Sequence, residues 1–120
     1  MVWLKTLEGN DDDYGSSITQ TLDGGYAITG MTMSNDGFFN TNNYERDSTF
    51  VVKLNPNGNI QWIQIIGGNN TDVAISITAS TTGGIVVTGS TRSSDGDFMG
   101  LNPAWSNKIY VVKLDSEGNI

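Results

Sequence analysis

The chain contains no cysteine and no histidine among its 120 residues. Disulfide scaffolds, thiolate zinc sites, cysteine nucleophiles and histidine-dependent triads are excluded with them. Positive charge is scarce, with six Lys and Arg against thirteen Asp and Glu and a net charge of −7. Nucleic-acid binding draws its affinity from basic side chains that neutralise phosphates, so nucleic acid is not expected as a partner, and neither is an anionic membrane surface. Long apolar runs are missing too. No stretch is long enough to span a bilayer as a helix, and the opening "MVWLKTLEGN" lacks the apolar region and small-residue cleavage site of a signal peptide. The runs of Ala, Leu, Glu and Lys that build long helices are absent as well.

What is present points one way. Fifteen glycines, abundant Thr, Asn and Ser, and short β-branched runs favour strands and turns. The fold class expected is all-β. The chain also repeats itself with a period of about 60 residues. "WLKTLEGNDDDYGSSITQTLDGGYAITGMTMSNDGFF" aligns with "WIQIIGGNNTDVAISITASTTGGIVVTGSTRSSDGDF", and "STFVVKLNPNGNI" aligns with "KIYVVKLDSEGNI". The pattern predicts strands at residues 16–21, 26–32, 49–54 and 60–66, and again at 75–80, 85–91 and 109–114. Tight turns are expected at "DGG" and "TGG", and at "NPNG" and "DSEG", where glycine supplies positive φ. The connections at about 33–48 and 92–108 are long.

The third and fourth strands of a unit carry apolar residues on both faces, as Phe50, Val52 and Leu54 do against Val51. Such strands belong in a sheet covered on both sides. Four-stranded sheets stacked face to face by repetition make a β-propeller. The chain then divides into an outer strand at 1–8, a first four-stranded antiparallel blade at 9–66, and a second blade at 67–120 without its outer strand. "VWLKTL" carries Trp3 in the register of Trp62, so the strand missing from the second blade is expected at the front, completing the last blade of a ring.

These phrases carry a resemblance. The run from Trp3 through "DGGYAITG" and "SNDG" to "FVVKLNPNGNIQW" resembles the tandem β-propeller repeats of large bacterial secreted or cell-surface proteins, especially Bacteroidetes proteins with type IX secretion sorting domains. It covers nearly the whole chain, twice. The resemblance implies the fold and an extracellular or cell-surface location, and it supplies no catalytic residues. Arrays of that family hold enough blades to close a ring, whereas this chain holds two.

Strand directions place the two long connections and the link between units on one face, together with ten of the thirteen acids. Recurrent residues there are read as structural: Asp36-Gly37 and Asp95-Gly96 as turns built on Asx hydrogen bonds, Asp13 and Asp72 as loop fasteners accepting backbone N–H groups, and Phe39 and Phe98 as plugs. Residues present in only one unit are the ligand-binding candidates: Tyr44, Arg46, Asn102 and Trp105. Aromatic faces beside amide and charged groups suit a glycan or a protein partner. Asp11 and Asp13 in "NDDDYG" are spaced like the start of a calcium loop, but the further ligands and the distal Glu are not evident, so no cofactor is expected.

The leading expectation is a non-enzymatic binding module. A structural spacer, or a fragment of a larger propeller, is the alternative, and a carboxylate-based glycoside hydrolase is the third reading. The partner expected is a further set of repeats or the chain itself, as a cyclic homo-oligomer, trimer or tetramer, because two blades leave open faces and a free strand edge.

Overall fold

The computed structural model describes residues 2–40, 47–68, 70–98 and 107–120. It is all-β, with seven strands: β1 (Asp13–Gln20), β2 (Tyr26–Thr32), β3 (Ser48–Leu54), β4 (Ile60–Ile66), β5 (Asp72–Ala79), β6 (Ile85–Thr91) and β7 (Lys108–Leu114). Two single-turn 3-10 segments, Gly37–Phe39 and Gly96–Phe98, open the long connections, and no α-helix occurs among the described residues. The strands form two antiparallel meanders, β1-β2-β3-β4 and β5-β6-β7, and neither sheet closes on itself.

Register for register, the second sheet matches the first. Ile28 faces Ile18 on one side and Val52 on the other, as Val87 faces Ile77 and Val112. A bulge sits between Gly15 and Ser17 in β1 and between Ala74 and Ser76 in β5. The first and fifth strands begin three residues earlier than the sequence pattern suggests, because pairing continues past the bulge to Asp13 opposite Thr32 and Asp72 opposite Thr91. Beside each bulge the chains approach closely, and a Cβ at Gly30 would run into the Tyr14 carbonyl, one at Gly89 into that of Val73. Glycine is required at both positions.

Alternation along the strands sends two sets of side chains to opposite faces. In the first sheet Ala27, Val51 and Ile66 face the second sheet. They meet Ile77, Ile85, Val87, Phe98, Tyr110 and Leu114 in one buried cluster, with Trp62 and Val112 at its margin. The outward face of the first sheet holds a smaller cluster of Phe39, Phe50, Val52 and Leu54. β3 is buried at every position, since β2 and β4 flank it and both its faces are covered. β7, its counterpart, has β6 on one side only.

Residues 2–9 form no strand. They lie against the outward face of the first sheet, where Leu7 packs on its cluster and the Trp3 indole meets Tyr26 edge-on at 5.7 Å. The same indole roofs Gly58 in the β3–β4 turn, and Trp62 roofs Gly118 in the turn after β7 in the same way. Both glycines are at φ near +85° (85° and 88°), a conformation that a side chain would strain.

Candidate functional site

The long connections leave and re-enter the sheets at one end, where β2 stops at Thr32 and β3 starts at Ser48. A hydrogen-bonded clasp is built there in each unit. In the second, Asp72 Oδ1 accepts from the Thr91 hydroxyl at 2.5 Å, and Oδ2 accepts from Gly68 N–H at 3.0 Å and the Ser93 hydroxyl at 3.1 Å. In the first, Asp13 accepts from Thr32 at 2.6 Å and from Gly9 N–H at 2.9 Å. Thr32 and Thr91 then each accept the N–H two residues on, from Ser34 and Ser93. Main-chain bonds complete each clasp: Phe38 N–H to the Glu8 carbonyl in one unit, Asp97 N–H to the Gly67 carbonyl in the other.

Asp72 has no solvent exposure. Burial pushes its carboxyl above the usual carboxylate range, against the opposing pull of Thr91, Gly68 and Ser93. An acid held by three donors in a sealed place fastens loops. It is not poised to exchange protons with a substrate. Tyr110, also buried between the sheets, is pushed up to about 12 by loss of solvent, and its hydroxyl lies 2.8 Å from that of Thr49.

Asp36 is structural by a different route from the one its Asp-Gly context suggests. Its side chain makes no cap bond to its own turn. The carboxylate reaches instead across the clasp and accepts Asn10 N–H at 2.7 Å and the Asn10 side-chain amide at 2.5 Å. The turn itself is closed by the Asp36 carbonyl taking Phe39 N–H at 2.9 Å, with Gly37 at φ 58°. Phe39 and Phe98 are buried, packing against Phe50 and Tyr110 at centroid distances of 5.1 and 5.3 Å.

The four ligand candidates Tyr44, Arg46, Asn102 and Trp105 lie outside the described residues. Asp11 and Asp13 do lie within them. Asp13 is occupied as above, and Asp11 accepts Asp12 N–H at 2.8 Å. No three carboxylates converge in a metal-holding group among the described residues. No helix among them is long and apolar enough to cross a membrane.

Strand patterning did not single out the opposite, hairpin end. A cavity of about 670 Å³ opens there between the sheets, lined by Thr21, Leu22, Asp23, Lys53, Gln61, Trp62, Gly83, Ser116 and Glu117. Lys53 is buried, and its ammonium donates to Asp23 at 3.0 Å, the Gln61 amide oxygen at 2.8 Å and the Leu54 carbonyl at 3.0 Å. Asp23 is held well below the usual carboxylate range, first by the Thr21 hydroxyl and the Gly25 N–H and then by Lys53. The signal in the sequence was a lysine inside the apolar phrase "VVKL", whose partner Asp23 is replaced by Thr82 in the second unit. With every ammonium proton engaged, this network closes the sheet end and offers no free cation.

Protein-family models were searched and none matches the chain, and no curated protein matches it.

Proposed function

We propose that the chain is a non-enzymatic interaction module built as two blades of a β-propeller, which holds the long-connection face toward a glycan or protein ligand at a bacterial surface. The observation that carries this reading is the junction between the sheets. Each sheet is half-covered alone, and one face of the first fits one face of the second through a continuous apolar cluster. That is the construction by which propeller blades stack. Loops on a rigid scaffold are where binding residues concentrate, and the clasps of Asp13 and Asp72 make this scaffold rigid at that end. Asp13, Asp36 and Asp72 are acceptors in loop-holding bonds, which tells against a carboxylate hydrolase.

A glycan array together with a pull-down tests the reading. Retention of a ligand that is lost on Tyr44→Ala or Trp105→Ala, with the unfolding midpoint unchanged, supports it. The same engagement of the acids favours a second reading, a spacer whose loops only solvate it. Binding to no glycan and no protein would make that second reading the better one.

A further inference from the structure

Three features compete for a role: the Lys53 cavity, whose polar groups are mutually satisfied; the Asp-rich clasps, which are structural; and two sheet faces that no other sheet covers. The faces carry the inference. Val51 and Val111 hold the same register position, yet Val51 is 0% exposed and Val111 68%. On the first sheet the less covered side is the other one: Phe50, Val52 and Leu54 are buried there beneath Phe39 and Leu7, but Ile18 is 59% exposed where its counterpart Ile77 is 6%. Each sheet is therefore less covered on the side where the other is buried. The open face of the second sheet corresponds to the face by which the first sheet already covers its neighbour.

We propose that the open face of the second sheet seats the open face of the first sheet of a second copy of this chain, head to tail, and that residues 2–7 of the second copy pair with β7 as its fourth strand. This rests on the stacked-blade reading above and names its partner. Residues 2–7 already lie where such a strand belongs. Trp3 roofs Gly58 as Trp62 of β4 roofs Gly118, and Leu7 packs on the outward cluster of the first sheet as Ile66 packs between the sheets. β4 pairs with β3 through Trp62 opposite Lys53, Gln64 opposite Val51 and Ile66 opposite Thr49. The same register between copies sets Trp3 opposite Lys113, Lys5 opposite Val111 and Leu7 opposite Ile109.

Side-chain chemistry agrees at one position where the two junctions differ. Inside the chain, the Thr49 hydroxyl of one sheet meets the Tyr110 hydroxyl of the other at 2.8 Å in a buried place. Their counterparts on the outer faces are Ile109, 84% exposed, and Phe50, buried against Phe39. Joining the faces brings Ile109 over the apolar cluster that holds Phe50. A hydroxyl pair is exchanged for an apolar pair, so at this position neither junction leaves a polar group without a partner. A contact of this heterologous kind makes a ring when its rotation closes.

Because the chain has no cysteine, the register can be tested by cross-linking. Lys5→Cys and Val111→Cys chains, one carrying a mass tag, are mixed and oxidised, and the wild type is sedimented at tens of micromolar. The expected result is a mass above one chain for the wild type, a tagged–untagged cross-link for the mixture, and none with Thr19→Cys in place of Lys5→Cys. Val111→Lys, exposed in the single chain, should reduce the mass to one chain with its circular dichroism unchanged. Deleting residues 2–8 should do the same. The Val111→Lys variant decides the matter if the deletion does not fold. A folded wild-type monomer without cross-links overturns the proposal and leaves the face to polypeptide outside these 120 residues. An assembly that resists both Val111→Lys and the cross-link overturns it also. Neither result bears on ligand binding by the long-connection face, which the array tests separately.

Discussion

β3 and β7 are nearly the same strand in different company. Both carry Val-Val-Lys-Leu, both pair with a strand of identical register, and both end in a turn closed by the same bonds, Gly58 N–H to the Asn55 carbonyl and Gly118 N–H to the Asp115 carbonyl. β3 is buried at all seven positions, while β7 is buried at only two, Tyr110 and Leu114. The difference teaches that the sequence of this unit encodes a blank with two adhesive sides, and that burial comes from the neighbours and not from the strand. A strand apolar on both faces is a sound signal for cover on both faces. It does not say whose residues provide the cover.

The largest effect should separate the two strands themselves. Val51→Asp places an unpaired carboxylate in the sealed junction, and should cost about 3 kcal/mol or more, enough to unfold so small a domain in a urea titration. Val111→Asp, at the matching position, should leave the stability of the single chain within about 0.5 kcal/mol of wild type. Equal losses would mean that the two faces are equally covered. Next, Ile77→Ala should cost about 2–4 kcal/mol and Ile18→Ala less than about 1, read in the same titration at low protein concentration.

How far the sequence was legible follows from these same residues. Five of the seven strands, β2, β3, β4, β6 and β7, are matched to within one residue by the alternation of β-branched residues, and all four tight turns sit at glycines of positive φ. β1 and β5 began early because their first residues are held by the bulge and the clasp, which are contacts with a distant connection and leave no local pattern. The roles of Asp13 and Asp72 as fasteners were readable from recurrence. The side-chain route of Asp36 was not, because Asn10 lies 26 residues away in sequence. The Lys53 network was missed for the same reason: its three acceptors come from three places in the chain.

A smaller contrast lies between the clasps. Asp72 is sealed and Asp13 partly exposed. Asp72→Asn should cost about 1–3 kcal/mol, since an amide cannot accept three donors without turning its own N–H groups inward, and Asp13→Asn should cost less. Acid titration separates them further. A carboxyl whose pKa is raised by folding holds its proton in the folded state when the unfolded chain has lost it. Stability due to Asp72 is therefore full at and below the ordinary carboxylate value of 3.8 and declines as pH rises from there through the raised value. Asp72→Asn should abolish that decline in denaturant midpoint. Asp23, whose pKa is lowered, contributes in the opposite sense, with stability that is lost as pH falls below 3.8. A decline unaltered in Asp72→Asn would assign it to another group.

The smallest effect expected is at the turns. Asp115 accepts Glu117 and Asn119 N–H groups through Oδ1, and Asn55 accepts Asn57 and Asn59 N–H groups through the same atom. Amide and carboxylate oxygens do the same work there, so Asp115→Asn should leave the denaturation midpoint at pH 7 unmoved. A clear loss would show that charge, and not the acceptor atom, holds the turn.

Amide hydrogen exchange along β3 and β7 in one sample tests most directly whether these are one strand in two environments. At high protein concentration the account predicts that amides 109–113 become as slow as amides 49–53, and that dilution or Val111→Lys frees the first set while leaving the second protected. If β7 exchanges quickly at every concentration while β3 stays slow, β7 gains no fourth strand from another copy, and the account of the open face is contradicted.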